Sequence, residues 1–222
     1  MKSPELLLWQ LADSAFPSGG FAHSGGLEAA WRQGHIKDAA ALAAFIRDAL
    51  WQTVYNTLPF IRATYEKPAE FAVIDARCDA VLSNHVANRA SRAQGQAMLA
   101  GAARIFHVPA LQDLLAGARL AERPLHWAPV MGVIGRALEL GEHEVLHLGI
   151  FITQRGFISS AVRLGIVGPM QGQTIQFNLA DEVEPMATRA MQLVLDDVAQ
   201  TDPLLEILQS SHDRLYSRLF HS

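Results

Sequence analysis

Apolar residues recur at three- and four-residue steps through most of this 222-residue sequence, and that helical period constrains the fold more than any other feature. The clearest stretch follows Asp38, whose side chain is suited to cap a helix N-terminus. Its apolar positions form one wide stripe: Leu42, Phe45, Ile46, Ala49, Leu50, Val54 and Leu58. We find no convincing hairpin signal and no internal repeat. The sequence therefore predicts an all-α fold, a single-domain bundle of about eight to ten helices.

Proline and glycine divide the rest of the chain into further predicted helices. We expect them at about 6–11, 69–83, 84–106, 110–121, 130–140, 142–162 and 181–200, with a short one near Pro203. The segment RLGIVGPMQGQ, residues 163–173, is expected to be a loop. The predicted organisation is one helical domain over residues 1–209 and a C-terminal tail over residues 210–222.

A face of small residues is predicted on the helix over 84–106. Its members recur at helical spacing, which would let another helix approach closely: Ala90, Ala93, Ala97, Ala100 and Gly101. The same spacing is also typical of an ordinary alanine-rich helix.

Composition excludes several classes of protein. Half of the residues are hydrophobic and 18% are charged, against about 25% charged in an average soluble protein, which favours a lasting oligomer or complex. A net charge of −4 without a basic run argues against nucleic acid. No stretch approaches about 18 uninterrupted apolar residues, so we expect no membrane span, and the apolar stretch in MKSPELLLWQ is too short for the hydrophobic region of a signal peptide. The single cysteine, Cys78, indicates a reducing compartment, so we expect a soluble cytoplasmic protein.

The string HEVLH at 143–147 matches the zinc-protease pattern, with two histidines one helical turn apart and a glutamate to activate water. The longer form of that pattern fails, because Ile150 and Thr153 occupy the positions of its glycine and third histidine. Glu182 and Glu184 are the distant candidates for a third ligand, but no pattern marks either of them.

A structural interpretation of HEVLH is favoured over a catalytic one. Glu142 and Glu144 would lie in the first turn of a helix, where acidic side chains offset the partial positive charge of the N-terminus. The face that carries His143 and His147 continues into mostly core positions: Ile150, Gln154, Ile158 and Ala161. We therefore expect bystander histidines and no metal site. The alternative function is a zinc-dependent hydrolase in which Glu144 acts with the two histidines.

The segment DSAFPSGGFAHSGGLE, residues 13–28, combines serine, glycine, proline and aromatic residues in a loop that precedes a helix. Ser24 and Glu28 are spaced to cap that helix. The loop lacks the GxxxxGK[ST] pattern and a preceding strand, so we expect no nucleotide cofactor. It also lacks a GxSxG elbow, which argues against a hydrolase triad built from its serines, His23 and Asp13. We expect no catalytic residue here.

Three separated segments together resemble the UreF family of urease accessory proteins: FPSGGFAHSGGLE, AVRLGIVGPMQGQ and HDRLYSRLFHS. The stretches LWQLADSAFP, TLPF, NRASRAQGQAML and LYSRLF fit the same family in the same order, so the resemblance covers essentially the whole chain. It implies an all-α, usually dimeric protein with no catalytic activity. Such proteins bind the accessory protein UreD (also called UreH) and recruit the nickel-carrying GTPase UreG for nickel delivery to apo-urease. The resemblance also implies a role in regulating GTP hydrolysis by UreG.

The resemblance implies partner-contacting residues in each of the three segments. They are Phe16, Pro17, Gly19, Phe21, His23 and Ser24 in the first loop; Arg163, Gly165, Gly168, Gly172 and Gln173 in the second segment; and His212, Tyr216, Arg218, Leu219 and Phe220 in the tail. Many relatives carry tyrosine where this chain has Phe21, so a hydrogen bond from that hydroxyl is not available. The tail is rich in the aromatic and arginine types of interface hot spots. We expect it either to order on binding or to form a terminal helix packed on its own domain.

Overall fold

The computed structural model describes residues 3–222, so Met1 and Lys2 of the predicted domain lie outside it, and in this range it contains no β-strand. The predicted all-α fold is confirmed. The helices are α1 (Pro4–Ala12), α2 (Leu27–Arg32), α3 (Ala39–Asn56), α4 (Leu58–Glu66), α5 (Phe71–Val81), α6 (His85–Phe106), α7 (Pro109–Leu120), α8 (Trp127–Ala137), α9 (Glu142–Arg163), α10 (Pro169–Asn178), α11 (Ala180–Ala190) and α12 (Pro203–Ser210). Short 3-10 turns occupy Gly20–Ala22, Pro68–Glu70, Leu195–Asp197 and Ser211–Arg214.

Helix α8 lies at the centre of the bundle. Its residues from Trp127 to Gly135 are all buried, and α4, α5, α6, α7 and α9 pack around it. A Cβ atom added at Gly132 would lie 2.1 Å from the carbonyl oxygen of Ile61 in α4. Because no side chain fits in that space, glycine is what allows the two helices to approach so closely.

Helix α9 is the second core helix and contacts α1, α2, α3, α4, α8, α10 and α11. It is long and apolar enough to cross a membrane by length and composition, but 56% of its most apolar window is buried inside the domain. Its first turn carries Glu142 and Glu144, as predicted. The helix is thus packed as part of the core of this domain.

Several helix boundaries differ from the predicted ones, and proline accounts for two of them. Pro59 and Pro169 lie in the first turns of α4 and α10, where the missing backbone N–H costs no hydrogen bond. As a result α4 is separate from α3, and the predicted loop over 163–173 is partly helical. Helix α11 ends at Ala190 instead of near residue 200. These breaks give twelve α-helices in residues 3–222 instead of about eight to ten.

Candidate functional site

The first loop is shaped by glycines and held by one buried aromatic ring. Gly19, Gly25 and Gly26 have positive φ angles of 71°, 62° and 91°, a conformation that side chains disfavour. Phe16 is buried and its ring stacks on that of Phe106 in α6, with 6.1 Å between centroids. The loop is therefore a defined structure fixed to α6.

The small-residue face of α6 receives this loop. A Cβ atom added at Gly101 would lie 2.9 Å from Cγ of Pro17, and one at Gly19 would lie 3.8 Å from Cβ of Ala97. The close approach predicted from the sequence is present at these positions. The partner is the first loop, however, and not a second helix.

The C-terminal tail packs directly against the first loop. The backbone N–H of Ser24 donates to the carbonyl oxygen of Ser222 (2.5 Å), and that of His221 donates to the carbonyl oxygen of Ala22 (2.8 Å). Nδ1 of His23 lies 2.6 Å from the hydroxyl oxygen of Ser222, 199 residues away in sequence. Two of the three family-like segments thus form one surface, with the tail packed on its own domain.

Glu28 fixes the backbone of the tail. Its carboxylate is fully buried and accepts hydrogen bonds from the N–H groups of Leu219 (2.8 Å) and Phe220 (3.1 Å). The predicted capping arrangement of Ser24 and Glu28 was wrong, because Gly26 occupies the N-cap of α2 and no side chain caps that helix. The hydroxyl of Ser24 donates to the carbonyl oxygen of Ser222 instead (3.2 Å).

Arg163 brings the second segment to the same place. Its guanidinium donates to the carbonyl oxygen of Phe21 and lies 4.3 Å from the centroid of the Phe220 ring, within the range of a cation–π contact. We call the meeting point of the three segments the loop–tail junction; it comprises Phe21, Ala22, His23, Ser24, Glu28, Arg163, His212 and residues 219–222.

Electrostatics at the junction favour a neutral His23. Burial is the main cause that lowers the pKa of His23 to about 4, and electrostatic interactions with His221, Arg89 and His212 add to the effect. Beside the junction, hydrogen bonds from Arg89 lower the pKa of Asp213, with donor–acceptor distances from 2.9 Å. This bidentate pair attaches the tail to α6.

Burial divides the predicted partner-contacting residues into two groups. Phe16, Ser24, Gly172, His212 and Phe220 are buried within the chain, so they can act only by positioning other groups. The exposed residues of the first loop and the tail are Pro17, Phe21, Tyr216, Arg218 and Leu219, and those of the second segment are Arg163, Gly165, Gly168 and Gln173. Gly19 and His23 lie between these extremes.

Most of the second segment is not part of the junction. Gly165 follows the end of α9 with φ of 73°, and Gly168 is the N-cap residue of α10. Gly172 packs on Ile158 of α9, and the side chain of Gln173 donates to that of Gln176. Among residues 3–222 the side chain of Gln173 makes no hydrogen bond to the first loop or the tail, and the three glycines have no side chain that could make one. Arg163 is therefore the residue of this segment that joins the junction.

Two open cavities accompany these elements. One, of about 300 Å³, lies beneath the first loop between α3, α6 and α9. Trp127 lines it, and the buried indole N–H of this residue has no hydrogen-bond partner among residues 3–222. The other, of about 230 Å³, is lined by α4, α5 and residues 193–196.

A separate cluster at the start of α9 carries possible metal ligands. Nε2 of His147 lies 2.9 Å from one carboxylate oxygen of Glu184, and Nε2 of His143 lies 3.3 Å from the other. Both histidines are partly exposed, at 40% and 33% of the side-chain surface for His143 and His147. The later positions on this face, such as Ile150 and Ile158, are buried as predicted.

Comparison with known proteins identifies the family to which this chain belongs. A family model described as UreF matches residues 36–180. The chain is 35% identical to urease accessory protein F of Oryza sativa subsp. indica over 96% of its length and 83% of that protein. It is 35% identical to urease accessory protein F of Arabidopsis thaliana, over 96% and 91% of the two chains. It is 33% identical to urease accessory protein UreF of Mycobacterium tuberculosis (strain H37Ra), over 97% and 98%. The chain therefore belongs to the UreF family of urease accessory proteins.

Proposed function

We propose that this protein is a non-enzymatic adaptor in urease maturation. It links UreD (UreH) to the GTPase UreG during nickel delivery to apo-urease, and it modulates GTP hydrolysis by UreG. It works in the cytoplasm as a homodimer and needs no cofactor of its own. Membership of the UreF family supports this proposal, and the loop–tail junction supplies a surface on which it can be tested.

The observation that carries the proposal is the set of exposed apolar side chains at the loop–tail junction and on the part of the tail beside it. Phe21 is 75% exposed, Leu219 is 49% exposed and Tyr216 is fully exposed. Aromatic side chains are frequent among interface hot spots. The backbone of Phe21 is held by Arg163 and that of Leu219 by Glu28. Because this backbone is already ordered, a partner that binds here loses less free energy to ordering it.

The buried family-like residues have a supporting role in this proposal. His212 is fully buried, and its Nε2 lies 3.2 Å from the carbonyl oxygen of Phe220, which is itself 4% exposed. Both residues hold the segment that presents Tyr216 and Leu219. Truncating Phe220 would therefore weaken partner binding through the tail conformation, whereas truncating Tyr216 would remove a contact directly.

A capture experiment with exposed-residue variants tests the proposal. Phe21→Ala and Tyr216→Ala would each be co-expressed with UreD and UreG, and the captured complex quantified. Loss of a hot-spot side chain costs about 2 kcal/mol or more, which is roughly a 30-fold loss of affinity. Leu120→Ala is the matched control, because Leu120 is 89% exposed at the end of α7 and outside the three segments.

Full capture of both partners by the double variant Phe21→Ala/Tyr216→Ala would refute the assignment of this surface. Circular dichroism would verify that each variant keeps its helical content, which we expect because neither side chain is buried. The adaptor proposal also predicts that the purified chain hydrolyses neither GTP nor peptides. Hydrolysis of peptides by a zinc-loaded sample would favour the hydrolase alternative.

A further inference from the structure

Contrary to the expectation from the sequence that His143 and His147 are bystanders, we propose that they form, with Glu184, a surface site for one divalent transition-metal ion of the class that prefers imidazole and carboxylate ligands. The site would join the first turns of α9 to α11. It is separate from the loop–tail junction, and the proposal does not depend on the adaptor function.

The geometry of the three side chains is the first argument. The histidines lie one helical turn apart on α9, and their ring centroids are 4.7 Å apart. Each of the two carboxylate oxygens of Glu184 faces one imidazole, at 3.3 Å for His143 and 2.9 Å for His147. One ligand atom from each residue lies within 4.8 Å of the other two. Donors bound at 2.0–2.1 Å in a tetrahedron lie about 3.3 Å apart, so small side-chain rotations complete the site.

The choice of metal follows from the ligand types. Two imidazoles and one carboxylate suit Zn²⁺, Ni²⁺, Co²⁺ or Cu²⁺, whereas Mg²⁺ and Ca²⁺ prefer oxygen ligands alone. Three protein ligands leave one position open on a tetrahedral ion. Because Glu184 is 64% exposed, that position would face solvent, where water or a side chain of a bound protein can fill it.

The surroundings favour binding over hydrolysis. Neither of the two cavities described above is lined by these residues. The carboxylate of Glu144 folds back over Gly141, where an added Cβ atom would lie 1.9 Å from its Oε2. Glu144 is thus not among the three proposed ligands. Replacing it would leave the metal ligands in place and remove the carboxylate that the hydrolase alternative requires.

Titration of the untagged full-length chain with Zn²⁺ tests the site. We expect one ion per chain at this site and a rise in thermal stability, since a ligand that binds only the folded state stabilises it. Changing an outer-shell partner of a metal site costs about 10- to 100-fold in affinity, so losing a direct ligand in His147→Ala or Glu184→Gln should cost at least about tenfold. Co²⁺ would report tetrahedral coordination through its absorption spectrum.

Two variants serve as controls for that titration. His35→Ala removes an exposed histidine on another part of the surface and should leave binding unchanged. Glu144→Gln should also keep it, since that carboxylate is not a ligand.

Failure of the wild-type chain to bind Zn²⁺, or equal binding by wild type, His147→Ala and Glu184→Gln, would overturn the proposal. If His147→Ala does not fold, Glu184→Gln gives the same test, because Glu184 is exposed. Neither result depends on UreD or UreG, so it leaves the adaptor function to its own test.

Discussion

Glu28 is the residue on which attachment of the tail depends most directly. Both of its oxygens accept a backbone N–H, from Leu219 and Phe220. Glu28→Gln keeps the size but places an amide NH₂ opposite one of these donors, leaving a buried N–H without an acceptor. We expect a loss of about 1–3 kcal/mol in the free energy of unfolding. Chemical denaturation would measure it, with hydrogen exchange locating the change in the tail.

The control for Glu28→Gln is the same carboxylate-to-amide change at an exposed site. Asp113 lies on the exposed side of α7, so Asp113→Asn should change the free energy of unfolding by no more than about 0.5 kcal/mol. Equal effects of the two substitutions would contradict the role assigned to Glu28. The sequence suggested a helix cap for this residue, since local spacing carries no information about an acceptor used 191 residues later.

The contact between α4 and α8 depends on the absence of a side chain at Gly132. A Cβ atom there would lie 2.1 Å from the carbonyl oxygen of Ile61 and 2.2 Å from Oγ1 of Thr64. Gly132→Ala therefore forces two core helices apart, and we expect a loss of at least about 1–3 kcal/mol, measured by thermal or denaturant unfolding.

Gly117→Ala is the opposite case and the control. Gly117 lies within α7, and a Cβ atom added there would meet no atom within 4 Å. Alanine favours helix over glycine by about 1 kcal/mol, so this variant should be neutral or more stable. A Gly132→Ala protein as stable as Gly117→Ala would show that α4 and α8 can separate without cost.

The existence of the elements was easier to predict than their ends. Asp38 caps α3 as predicted, with its side chain accepting the N–H of Ala41 at 2.8 Å, because a cap is a local interaction. Helix α11 was predicted to run to about residue 200 but ends at Ala190. Beyond it, Ala199 donates its N–H to the carbonyl oxygen of Tyr55, a tertiary contact that helical periodicity does not reveal.

At the scale of the whole molecule, the three family-like segments were identifiable from the sequence but their meeting point was not. Arg163 reaches Phe21 and Phe220 only because α9 ends beside the first loop. The proposed metal site also depends on helix packing, because His143 and His147 lie on α9 and the third ligand, Glu184, lies on a different helix. Sequence patterns identify residues that share one helix face, whereas sites built from several helices depend on how the helices pack.

Attachment of the tail should depend on pH through His23. Its pKa is about 4 when folded, and about 6.5 is usual for an exposed histidine. Between these values the detached state binds a proton that the docked state excludes. Docking is therefore strongest above about pH 6.5 and weakens as the pH falls toward about 4, by no more than about tenfold per unit.

Hydrogen exchange of the Leu219, Phe220 and His221 amides at pH 5 and 7.5, corrected for intrinsic rates, would measure this pH dependence. His23→Gln cannot titrate and should reduce this pH dependence; an unchanged dependence would assign it to His212 or His221 instead.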